Sequence, residues 1–139
     1  MLSTAGLVAG GAIYAILGLL HAIYTYADTR RPRRIVPDDP AVIEAMKGTG
    51  VRLARGGTTM WRAWVGFNFS HSLGAIVFGS GCIAAGLCLD RLALPRAALA
   101  IPIAVSALYL GLALKYWFRI PVGGTGLATA AFVLALLSY

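Results

Sequence analysis

Thr59-Met60-Trp61-Arg62-Ala63-Trp64-Val65-Gly66-Phe67-Asn68-Phe69-Ser70-His71-Ser72-Leu73-Gly74 passes from a basic, tryptophan-marked boundary straight into an apolar run that continues to residue 89. Apolar residues fill this run instead of recurring as one stripe. A helix needs ~20 such residues to cross a bilayer core, and this run supplies them. Asn68, Ser70, His71 and Ser72 travel with it. An amide and an imidazole at membrane depth are costly, so they need partners or a task.

Working outward, runs at 5–27, 97–114 and 122–138 repeat the pattern of 63–89. Each reaches the ~17 residues that set the lower limit for a helical span. Strands of a membrane barrel would alternate polar and apolar residues, and these runs do not. With 59% hydrophobic and 12% charged residues in 139, the expected fold is all-α: a single domain forming an antiparallel four-helix transmembrane bundle. Its helices are expected at about 5–27, 61–89, 97–117 and 122–138, with a loop at 28–60 carrying a short helix at about 40–47.

The net charge of +7 is unevenly placed. Arg30, Arg31, Arg33, Arg34, Lys47, Arg52, Arg55 and Arg62 lie between the first two runs, and Lys115 and Arg119 between the last two. The middle connection holds Arg91 and Arg96, and the termini hold no basic side chain. The positive-inside rule then makes the first loop cytoplasmic and puts both termini outside. The expected location is a multi-pass position in a bacterial inner membrane. Charge in this pattern implies the bilayer and its anionic lipids as partners, with no nucleic acid. The first run lacks a basic leader region and is longer than a typical signal core, so it reads as a helix. Cys82 and Cys88 form no CxxC pattern and read as packing residues.

Local signals refine the outline. Gly6-x-x-x-Gly10, Gly11-x-x-x-Ala15 and Gly66-x-x-x-Ser70-x-x-x-Gly74 are rows on which helices approach closely in lipid. Asp39 before Pro40 reads as a cap for the short helix, which Gly48 and Gly50 would end. The stretch 52–58 is expected to lead helically into the second span. Pro102 is expected to kink the third, with Ser106 near the freed carbonyl, and Pro121-Val122-Gly123-Gly124-Thr125-Gly126 to form a turn.

Two polar rows stand out. His21, Thr25 and Asp28 fall at i, i+4 and i+7, as do Trp64, Asn68 and His71. Counted from the loop at ~1.5 Å per residue, both histidines lie roughly 10–15 Å below the same surface. Consecutive helices are usually neighbours, so these groups are expected to share a pocket near the cytoplasmic face.

Several roles fit that pocket. Hydrogen bonds between the helices would make it structural glue. Alternatively, it binds and transforms a small lipophilic molecule. His71, Asn68 and His21 are then the candidate catalytic residues, since an amide can hold a carbonyl oxygen and an imidazole can move a proton. Trp61, Trp64, Phe67, Tyr24, Thr25 and Arg62 are the candidate ligand-binding residues. A third role is a haem b with His21 and His71 as axial ligands. No short spacing of metal ligands is present, so no metal site is expected. A fourth is an accessory subunit of a larger membrane complex, or a homo-oligomer. The residues leave open whether the protein is an enzyme.

Gly18-Leu19-Leu20-His21-x-x-Tyr24-Thr25, followed by Thr59-Met60-Trp61-Arg62-Ala63-Trp64-x-Gly66-Phe67-Asn68-x-Ser70-His71-Ser72-Leu73-Gly74, resembles a family of small, uncharacterised bacterial four-helix integral membrane proteins. The resemblance covers the first two helices and implies fold and location, with no activity. A looser likeness, in residue types only, links the chain to anthrone-oxygenase-like small membrane proteins.

Overall fold

The computed structural model describes residues 1–139 and is all-helical. Its helices are α1 (Leu2–Arg30), α2 (Pro40–Gly48), α3 (Met60–Leu87), α4 (Leu89–Leu92), α5 (Ala100–Tyr116) and α6 (Arg119–Leu137). Four helical segments are long and apolar enough to cross a membrane: α1, α3, Arg96–Tyr116 and α6. Only 22–28% of their most apolar windows is buried within the chain. Leu19, Phe67, Leu73, Val77, Leu108, Leu127 and Leu134 are among the exposed side chains. In water such surfaces would drive aggregation, whereas in lipid they meet a solvent as apolar as themselves. These features support an integral membrane protein.

The chain divides into two compact units, residues 1–17 with 75–139, and residues 18–74.

In the first unit, small residues set the packing. A Cβ on Gly11 would stand 2.5 Å from the Gly79 carbonyl oxygen, and one on Gly10 would meet the Phe132 ring at 2.5 Å. The backbones are close because no side chain separates them. Around this contact lies a buried cluster of Leu7, Tyr14, Ala75, Cys82, Ala128 and Phe132. The Tyr14 ring meets Phe78 edge-on at 4.8 Å and Tyr109 at 5.5 Å, a favoured aromatic geometry.

Both proline expectations are corrected. Pro102 lies in the first turn of α5, just after a 3₁₀ turn at Arg96–Leu99, and not deep within a helix. At that position the missing N–H interrupts no established α-helical ladder. Pro121 likewise belongs to the first turn of α6, which starts at Arg119 and continues through Gly123, Gly124 and Gly126. Flanking glycines signalled a turn, but proline pre-sets the φ of a helix start, and the apolar run beyond it carries the helix on.

Ala93 ends α4 with φ 42°. A left-handed conformation is unfavourable for a residue with a Cβ. Ala93→Gly is therefore expected to raise stability by about 0.5–1 kcal/mol, read as a higher unfolding midpoint in mild detergent. An unchanged or lower midpoint would show that the turn is held by other contacts.

The second unit contains the end of α1, the basic loop and the start of α3. Asp39 Oδ1 accepts from the Ala41 N–H at 2.8 Å, with Pro40 opening α2. Ile43 is the buried residue of that helix. The lead-in at 52–58 is mostly not helical. A single 3₁₀ turn at Arg52–Ala54 gives way to left-handed Arg55 and Gly56, with φ 44° and 90°. An isolated antiparallel bridge pairs Gly50 with Thr59, and the Met60 N–H reaches the Thr49 carbonyl at 2.8 Å. Two glycines in a stretch of seven made the closed loop cheaper than another helical turn. Thr59 then caps α3, its Oγ1 accepting from the Arg62 N–H at 3.3 Å.

Several hydroxyls in the long helices, and that of Ser138 at the end of α6, turn back on their own backbone. Thr25, Ser70, Ser72, Thr125, Thr129 and Ser138 each donate to the carbonyl four residues earlier, at 2.6–2.9 Å. Such bonds satisfy a hydroxyl in an apolar setting without a second helix.

Candidate functional site

The two polar rows meet inside the second unit. Asn68 is buried on α3 and its Nδ2 donates to the Trp64 carbonyl at 2.8 Å. This fixes the direction of the amide, because the other orientation would set two oxygens against each other. Oδ1 consequently points toward His21, whose Nε2 lies 2.8 Å away. An acceptor there requires the hydrogen on Nε2, so the pair itself selects the His21 tautomer. One turn further along α1, Thr25 is fully buried and donates to the His21 carbonyl.

His71 stands one turn beyond Asn68 and is half-buried. Its ring meets that of His21 edge-on, with centroids 5.3 Å apart and planes at 70°. The Phe67 ring runs nearly parallel to that of His71 at 6.3 Å, and Phe67 is 66% exposed, so its flank of the cluster faces outward. The result is an oriented imidazole, an amide with both ends engaged, and a second imidazole beside an exposed aromatic.

The other candidates occupy different places. Trp61 and Trp64 stack on each other at 5.1 Å, with the Lys47 ammonium 5.9 Å above Trp61. Trp64 reaches the cluster through its carbonyl. The Arg62 side chain is exposed, and its backbone N–H serves the cap of α3. Tyr24 is exposed and lies under the Arg34 guanidinium at 4.9 Å. Asp28 is fully buried, but its carboxylate accepts from the backbone N–H groups of Arg33, Arg34 and Ile35. It therefore shapes the loop.

The arrangement also bears on haem. Axial ligands must each offer a nitrogen to an iron between them. His21 commits Nε2 to Asn68, and the two rings touch edge to face instead of facing each other across a macrocycle. No three His, Cys, Asp or Glu side chains gather as a metal-ligand set.

A second polar cluster, in the first unit, has no counterpart among the sequence expectations. Tyr14 donates to Ser106 Oγ at 3.0 Å, and Ser106 Oγ meets Thr129 Oγ1 at 2.7 Å. Ser106 is fully buried, and its hydroxyl does not serve the carbonyl near Pro102. The available signal was Thr125 and Thr129 at i, i+4, together with Tyr14 one turn after Gly10. Compared with family models, curated proteins and solved structures, the chain gives no match.

Proposed function

We propose that this is an integral membrane protein of antiparallel helices, with both termini outside and the basic loop cytoplasmic. Its His21–Asn68–His71 cluster binds a small lipophilic molecule that carries a hydrogen-bonding group. The observation that supports this reading is the pair of histidines in ring contact, one oriented by Asn68 and the other flanked by exposed Phe67. Two imidazoles are more than helix association requires, since interhelical polar bonds in membranes average only ~0.6 kcal/mol. Phe67 provides an apolar face for a ligand arriving from the bilayer, and His71 provides the polar contact. The chemistry an imidazole adds to binding is proton exchange with a bound hydroxyl or carbonyl.

The test compares wild-type protein with His71→Ala, both purified in mild detergent and extracted for mass spectrometry of retained small molecules. Wild type is expected to carry a near-stoichiometric lipophilic species that the variant lacks, while far-ultraviolet circular dichroism and elution volume stay the same. Equal complements in both proteins would sink the ligand-site reading. So would co-purification of wild type with a stoichiometric larger subunit and no small molecule, which is the outcome expected of an accessory subunit.

A further inference from the structure

The turn that follows α1 gathers charge in an unusual way. Arg30, Arg31, Arg33 and Arg34, all exposed, line with Ala27 an open cleft of about 410 Å³. That is within the ~300–1,000 Å³ typical of small-ligand sites. No carboxylate forms an ion pair with any of the four guanidinium groups: the chain's salt bridge joins Lys47 to Glu44. The nearest carboxylate in sequence, Asp28, is fully buried and directed at the backbone. Its Oδ1 accepts from the N–H groups of Arg33 and Arg34 at 3.0 and 3.2 Å, and its Oδ2 from Ile35 at 2.9 Å. Asp28 thus fixes the path of the turn while leaving the arginine side chains uncompensated. Aromatic rings support two of them. Arg30 lies 4.8 Å above the Tyr26 ring and bonds the Tyr26 hydroxyl, and Arg34 lies 4.9 Å above Tyr24.

We infer that this turn is a binding site for the phosphate of an anionic phospholipid. Guanidinium groups match phosphate oxygens in a planar, bidentate manner, and a fixed turn lowers the ordering cost of binding. A lipid is favoured over a soluble phosphate by position. Arg30 is the last residue of a membrane-length helix, and exposed Tyr24 and Tyr26 precede it, as tyrosines do at headgroup level. Basic pockets at this height are the usual seat of acidic headgroups. The site rests on no part of the His71 reading.

The test uses the full chain in mild detergent, titrated with phosphatidylglycerol, phosphatidylcholine or inorganic phosphate, with binding read by native mass spectrometry and thermal shift. Phosphatidylglycerol is expected to bind and stabilise, and the other two are not. Arg33→Gln/Arg34→Gln should weaken phosphatidylglycerol binding about tenfold or more. Arg52→Gln/Arg55→Gln removes the same charge from the same loop and should change it little. Equal loss in the two double variants would overturn the site in favour of diffuse attraction. Competition by inorganic phosphate at the lipid's own concentration would overturn the lipid assignment. Asp28→Asn adds positive charge yet loosens the turn, so weaker binding supports a built site and tighter binding refutes it. Should that variant fail to fold, the two arginine pairs decide the matter alone.

Discussion

Gly79→Val is expected to abolish the native packing of the first unit. A Cβ at this position would stand 2.5 Å from the Ala15 nitrogen and 3.1 Å from its Cα, and would also strike the Gly11 carbonyl. All three are backbone atoms, so no side chain can rotate aside. In lipid the hydrophobic effect does not hold helices together, and close van der Waals contact carries the association. Moving these backbones apart by a methyl's width removes that contact within the first unit. The expected loss is about 3 kcal/mol or more, at the upper end for overpacking. Gly81→Val is the control, because a Cβ there meets nothing within 4 Å. Unfolding of both variants by denaturing detergent, followed by circular dichroism, would check the difference. Equal midpoints would refute the close approach.

Asn68→Leu is expected to cost about 1–2 kcal/mol, less than the ~3 kcal/mol upper figure for stranding a buried polar group. Leucine is of similar size but leaves the His21 Nε2–H without its acceptor. The discount arises because the unfolded helix in a membrane also finds partners. A double-mutant cycle with His21→Phe isolates the bond itself, and a coupling of roughly 0.6–1.7 kcal/mol is expected. Zero coupling would mean that the two side chains are adjacent without depending on each other. Asn68→Gln should recover part of the loss, since it retains both amide functions.

The spans were legible because membrane crossing depends on length and composition, and 5–27, 63–89, 97–114 and 122–138 carry both in the sequence itself. The ends were less legible. Proline and glycine have two meanings, and at Pro102 and Pro121 the helix-start meaning prevailed. In the site, helical spacing put Asn68 and His71 on one face of α3. It was the matched depth of the two histidines on consecutive helices that led to the expectation of His21 beside them, where its Nε2 meets Asn68. Spacing alone did not tell Asp28 from its neighbours on the polar face of α1. Its carboxylate lies where the helix ends, and loop N–H groups lacking helical partners reached it first. Tyr14 and Ser106 are 92 positions apart, and each is unremarkable within its own run. Their meeting depends on tertiary packing that neither local pattern encodes.

The hydroxyls that fold back onto their own helices have a consequence for the order of synthesis. Thr25, Ser72, Thr125 and Thr129 can each enter a bilayer already satisfied, whatever has been made before them. Asn68 on α3 and Ser106 on α5 gain partners from α1, His21 and Tyr14 respectively, and Ser106 in turn meets Thr129 of α6. Since α1 is made before α3 and α5, it carries a docking point for one residue of each. A nascent chain built this way has α1 waiting in the bilayer as the template on which these two later polar residues come to rest.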